Sequence, residues 1–165
     1  MTNEKLINEM IKIFKGDCKR INHFLKVYAF AKTIGELENV SNETLRIIEV
    51  ACILHDIGIK ESEIKYGDSN GKHQEELGPA LAKKLLIKYD FSNDFIERVI
   101  FLIGNHHSYN KIDGVDFQIL VEADFLVNLY EENSSKSSIF SVESKIFKTE
   151  TGKEFLENLF LWWAV

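Results

Sequence analysis

Apolar residues recur along most of this chain at intervals of three and four, the period at which one face of an α-helix repeats. Leu6, Met10, Ile11 and Phe14 predict a short first helix that ends near Lys15-Gly16. Asp17 then stands at an N-cap position, and Phe24, Val27, Tyr28, Ala31 and Ile34 mark a second helix over residues 19–38. Ser41 caps a third, which carries Leu45, Ile48, Cys52 and His55 on one line and ends at Ile57-Gly58. From 58 to 72 the period stops and Gly67, Asp68, Ser69, Asn70 and Gly71 gather, the pattern of a loop. Helical spacing resumes with Leu77, Leu81, Leu85 and Leu86, where Pro79 either opens the helix or kinks its first turns. Ser92 caps a helix through Ile96, Val99, Ile100 and Ile103. Asp113-Gly114 marks a turn before a strongly apolar helix with Phe117, Leu120, Val121, Ala123 and Val127, which carries one carboxylate, Asp124, inward. Residues 131–138 are polar and serine-rich, a surface loop or frayed helix end. A last helix over 155–165 ends in Phe160-Leu161-Trp162-Trp163, a cluster that either packs back onto the domain or makes a homodimer contact. With no alternating strand pattern in competition, the expected fold class is all-α, a helical bundle.

Composition narrows this picture. At 165 residues, 45% hydrophobic and 28% charged, the chain is expected to form one domain over 1–165 that buries a core without disulfides or metals as staples. Nine Gly and one Pro are too few for a turn-rich sandwich or barrel. A net charge of -6 argues against a broad grip on nucleic acid or an anionic membrane and favours a small-molecule partner. Cys18 and Cys52 make no disulfide framework, and Cys52, inside the apolar run 47–54, reads as a buried small hydrophobe. The first residues lack the basic and apolar regions of a signal peptide, and no run approaches the ~20 apolar residues that span a bilayer, so a cytoplasmic location is expected. Internal repeats, a glycine-rich phosphate loop, a G-x-S-x-G elbow and paired C-x-x-C motifs are all absent from the sequence.

The chemistry concentrates at Leu54-His55-Asp56-Ile57-Gly58, where an imidazole and a carboxylate close an apolar helix. Burying such groups unpaired costs roughly one to several kcal/mol each, so a metal ion or internal hydrogen bonds must satisfy them. His23 lies on the apolar stripe of the second helix, with Val27, Phe30 and Ile34 following at four, seven and eleven, and Asp124 faces inward with Leu120 and Val121. Imidazole nitrogen with carboxylate oxygen suits divalent zinc, manganese, iron, nickel or cobalt. His55 and Asp56, about 100° apart on the last helical turn, can reach one ion from the same side. Lys60, Lys65 and Lys72 follow in the loop, where they suit phosphate charge, and His106-His107 form a second imidazole cluster.

The order His23, His55-Asp56, Asp124 on a helical frame resembles the HD-domain superfamily of metal-dependent phosphohydrolases. The likeness extends over roughly residues 20 to 130, through Leu54-His55-Asp56-Ile57-Gly58, Gly78-Pro79-Ala80, Ile103-Gly104-Asn105-His106-His107 and Glu122-Ala123-Asp124-Phe125-Leu126. It implies a bundle with the site between central helices, C-terminal helices over 139–165 packing on it, and one divalent ion held by His23, His55, Asp56 and Asp124. It further implies hydrolysis of a small phosphate ester, nucleotide-like, by metal-activated water. In that reaction Asp56 would orient the water, and His106 or His107 would protonate the leaving oxygen or fix a non-bridging one. Lys60, Lys65, Lys72 and Gln74 would meet the substrate. Family members with two metals add a His four residues before the glycine of the next helix and another in the Ile-x-x-His segment; His106 matches the second, but the first position here is Gln74, and the neighbouring imidazole, His73, is one step off. A single ion is therefore expected, with His106, His107 and Gln74 lining the substrate pocket. Two other classes stand beside the hydrolase: a regulatory module that binds metal or nucleotide without turnover, and a di-iron oxygenase, against which Gln74 weighs.

Overall fold

Capping residues set most of the helix boundaries. In the computed structural model, which describes residues 3–162, the Asp17 side chain accepts from the Arg20 N–H at the start of α2, Cys18–Leu37. Ser41 does the same through Thr44 for α3, Asn42–Leu54. Asn70 caps α5, Gly71–Lys88, and Ser92 caps α6, Asn93–Ile103. Each such bond satisfies one otherwise orphaned N–H and contributes about 1 kcal/mol. The remaining helices among the described residues are α1, Asn3–Ile13; α4, Ile59–Tyr66; α7, Val115–Glu131; α8, Lys136–Ile146; and α9, Glu150–Leu156. A 3-10 turn, Tyr109–Lys111, and a π turn, Glu157–Leu161, complete the order, with no strand among the described residues. No described helix is long and apolar enough to cross a membrane.

The helix α2 packs along both α3 and α7; α3 also meets α1, α6 and α7, and α5 lies across α4 and α6. Their inward faces merge into one hydrophobic cluster that includes Phe24, Val27, Ile48, Leu54, Ile103, Phe117 and Leu120, all fully buried. Two glycines let the corner after α3 rest directly on α5. A Cβ on Gly58 would stand 2.8 Å from the Gln74 carbonyl oxygen and 3.0 Å from the Gly78 nitrogen, and one on Gly78 would stand 2.9 Å from Ile103 Cγ2. That backbone-to-backbone approach brings the His55-Asp56 turn beside Gln74.

Several elements differ from the sequence reading. Residues 58–72 are largely helical: α4 occupies Ile59–Tyr66 and ends at Gly67, whose φ of +77° suits a residue without a Cβ. It escaped detection because only Ile59 and Ser62 of its eight residues are buried, too few to write a stripe. Pro79 lies inside α5, where its ring packs over the Cβ-less face of Gly104. The polar stretch after α7 ends at Ser135, which caps α8, and the final helix begins at Glu150, five residues earlier than the sequence suggests. Of the terminal aromatic cluster, Leu161 is buried and Phe160 packs against the core, but Trp162 is 71% exposed; Trp163 lies outside the described residues.

The helix α7 also carries more than one buried carboxylate. Glu122, fully buried, accepts hydrogen bonds from Gln118 Nε2, the Lys148 and Thr149 N–H groups and the Thr149 hydroxyl, tying the start of α9 to α7. Asp116 is held by Arg98, whose fork also takes both oxygens of Asp113 and so closes the connection from α6 to α7.

Candidate metal centre

Four elements bring their polar side chains to one point. His23 comes from α2, His55 from the residue after α3, Asp56 from the turn that follows, and Asp124 from the middle of α7. His55 Nδ1 lies 2.8 Å from the Cys52 carbonyl oxygen, which can only accept, so the proton sits on Nδ1 and the Nε2 lone pair faces the cluster. Cys52 itself is fully buried, and burial pushes its thiol up, so it stays protonated and apolar.

The separations suit ligands of one ion. His23 Nε2 lies 3.1 Å from Asp124 Oδ1, 3.3 Å from His55 Nε2 and 3.6 Å from Asp56 Oδ2, and His55 Nε2 lies 3.4 Å from that oxygen and 3.7 Å from Asp124 Oδ1. Donor atoms about 2.1 Å from a common ion stand roughly 3.0–3.4 Å apart, near the lower end of this range. His23, His55 and Asp56 all offer a ligand atom within 4.8 Å of one another. Two facing imidazole nitrogens and two carboxylate oxygens, all on buried or nearly buried side chains, form a donor set that fits a divalent transition ion.

Electrostatics follows from the burial. Desolvation opposes charge on His23, but hydrogen bonding to Asp124 and the charge of Asp56 outweigh it and raise the ring to about 9 in the metal-free protein. Burial likewise pushes the Asp124 carboxyl up, yet the three imidazoles facing it hold it well below the usual carboxylate range. Asn128, one turn on, donates to Asp124 Oδ1 at 3.0 Å. His106 Nδ1 donates to the Ile103 carbonyl at 2.7 Å, which leaves Nε2 as a lone-pair donor 3.8 Å from Asp56 Oδ1. Burial, then the neighbouring His107 and His55, lowers His106 to about 4. Among the described residues, three buried side-chain atoms have no hydrogen-bond partner: His106 Nε2, His107 Nε2 and Gln74 Oε1. Each is an acceptor or a proton carrier beside the Asp56 side of the cluster.

A cavity of about 450 Å³ opens over these groups, lined on the metal side by His23, Asp56 and Asp124, on the α5 side by Ser69 and Gln74, and by His107. Its cationic lining comes from α2, as Lys19 and Arg20, and it also carries the carboxylates of Asp17, Glu131 and Glu132. Of the residues singled out in the sequence, His23, Asp56, Asp124, Gln74 and His107 line this cavity, while His55 and His106 lie buried behind its wall. Lys60, Lys65 and Lys72 do not line it. Lys60 faces an apolar groove with Ile57, Leu81 and Leu85, Lys65 pairs with Glu76, and Lys72 is exposed at the start of α5. Lys60 and Lys65 stand on α4, where a loop was expected, and the Lys60 ammonium lies 3.8 Å from Asp17 Oδ2. His73 pairs with Asp68 Oδ1 at 2.8 Å and stacks on Tyr66, outside the cavity lining. Sequence reasoning missed Lys19, Arg20, Asn128 and Glu131. Asn128 and Glu131 were reachable, since they follow Asp124 by four and seven on the same helical stripe.

The HD domain family model matches residues 20–146. This chain belongs to the HD domain family. Among solved structures, that of a predicted HD superfamily hydrolase from an uncultured Thermotogales bacterium shares the fold, with a TM-score of 0.74 over 98% of this chain and 86% of that one at 22% identity. No curated protein sequence matches the chain significantly.

Proposed function

We propose that the protein is a metal-dependent phosphohydrolase of small phosphate esters, nucleotide-like in size. The observation that carries this is the convergence of His23, His55, Asp56 and Asp124 at ligand spacing beside a cavity of about 450 Å³ that His23, Asp56 and Asp124 line. One divalent ion, manganese, nickel, cobalt, zinc or iron, would be held by those four side chains and would supply Lewis acidity to the phosphoryl group and acidify a water. Asp56 is suited to two tasks, since Oδ2 faces His23 and His55 while Oδ1 is turned towards His106 and can orient a nucleophilic water. His106, held neutral, is a lone-pair donor at pH 7, so protonation of the leaving oxygen falls to His107, whose Nε2 is unpartnered beside the cavity. Gln74 donates to the Ser69 carbonyl at 2.8 Å and keeps Oε1 for a substrate hydroxyl or a water. Lys19 takes the phosphate-facing role that the sequence assigned to Lys60, Lys65 and Lys72, beside Arg20, whose guanidinium is held by Asp17 and Glu63.

The carboxylates of Asp17, Glu131 and Glu132 in the lining and the net charge of -6 disfavour long polyanions. The test is a screen of metal-loaded protein, with each candidate ion in turn, against nucleoside mono-, di- and triphosphates, cyclic dinucleotides, dinucleoside polyphosphates and single-stranded oligonucleotides. Release of phosphate from a small ester, weakened by Lys19→Ala, is expected. Efficient cleavage of oligonucleotides with indifference to mononucleotides would overturn the substrate class. No turnover by fully metallated protein would favour a regulatory binding module, and two irons per chain an oxygenase.

A further inference from the structure

We propose that Glu131 is the positioning residue of the metal centre, a carboxylate that fixes the His23 ring so that its Nε2 lone pair faces the ion; this rests on reading the cluster as a metal site. Glu131 lies two turns beyond Asp124 at the end of α7, and the two carboxylates hold opposite ring nitrogens of the same imidazole. Asp124 Oδ1 is 3.1 Å from Nε2, and Glu131 Oε2 is 3.1 Å from Nδ1. A carboxylate on Nδ1 keeps the proton there. It thereby selects the tautomer with a basic Nε2, and its charge makes that nitrogen a stronger donor. His55 and His106 have their Nδ1 protons fixed by backbone carbonyls, so His23 alone of the three is oriented by a charged side chain.

The carboxylate is itself pinned. Lys26, one turn after His23 on α2, donates to Glu131 Oε1 at 2.6 Å. Both oxygens are thus engaged, and a group that lines the cavity is kept from swinging in to bind the ion or repel an anionic substrate. Glu131 is therefore a bridge from α7 to two successive turns of α2, and it couples the packing of those helices to the direction of one metal ligand. The same bridge accounts for a charged side chain that is only 13% exposed.

The experiment compares wild type, Glu131→Gln and Glu131→Ala as full chains. Affinity for manganese and zinc is measured by chelator competition, and the His23 tautomer by a long-range proton–nitrogen correlation spectrum of zinc-loaded protein. The wild-type spectrum should carry the His23 proton on Nδ1. Glu131→Ala should weaken ion binding about 10–100-fold, the usual cost of losing such a partner, with Glu131→Gln intermediate because its amide oxygen still accepts from Nδ1. Ion affinities of both variants within about twofold of wild type, or zinc found on Nδ1, would overturn the proposal while leaving the metal site standing. A wild-type protein that takes up no ion would overturn both. If the alanine variant fails to fold, the glutamine variant and the wild-type spectrum decide the question.

Discussion

At the scale of single residues, polar groups on apolar surfaces carry the site, and their removal has separable effects. His55→Ala and Asp56→Ala each delete a donor from the cluster, so both should lose ion binding and hydrolysis together, by more than about 100-fold, as read by elemental analysis and turnover. Retained activity in either would reject the ligand assignment. His106→Ala should behave differently: with Nε2 3.8 Å from Asp56 Oδ1 and outside the tight group, it should keep one ion per chain while turnover falls. Loss of an ion from that variant would make His106 a ligand and the centre binuclear, with Gln74 Oε1 as the neighbouring donor. The four cluster residues were legible in the sequence because an imidazole or carboxylate on an apolar helical stripe must be satisfied inside. Lys19 and Arg20 were not, because a charged residue at the start of a helix needs no explanation until the fold brings it to the cavity.

At the scale of elements, the helical periods located α1, α2, α3, α5, α6 and α7 because each buries a face wide enough to write a stripe. The helix α4 has no such face, and it holds Lys60 and Lys65 outside the cavity lining. Close approach, which periodicity does not encode, fixes the corner between α3 and α5. Gly58→Ala would force a Cβ to within 2.8 Å of the Gln74 carbonyl, a backbone atom that cannot rotate away. It should destabilise the fold by about 1–3 kcal/mol, and because the shift falls two residues after Asp56, ion affinity should drop as well. Urea unfolding with and without metal checks both effects. Unchanged stability would mean that α5 can slide away from the corner at no cost.

For the molecule as a whole, the buried imidazoles couple folding to pH and to the ion. His23 titrates near 9 in the folded, metal-free protein against about 6.5 in an unfolded chain, so its contribution is complete below about 6.5 and is lost as pH rises through 9. His106 has the opposite sign. Lowered to about 4, it remains neutral in the folded state while the unfolded chain takes up a proton, so its contribution is present above about 6.5 and is lost as pH falls towards 4. Each shift changes the stability by about 3 kcal/mol across its pH window. The metal-free protein should therefore be most stable near pH 6.5 and decline on both sides. An ion at the cluster competes with the proton on His23 Nε2, so metal binding releases a proton below pH 9 and tightens as pH rises. At about a hundred times its dissociation constant an ion adds about 2.7 kcal/mol, and at fixed ion concentration that gain should grow from pH 6 to pH 9. Thermal melts in chelator and in excess manganese across this range measure both curves. A melting difference that stays constant with pH would mean that His23 does not give up a proton to the ion, and would remove it from the ligand set.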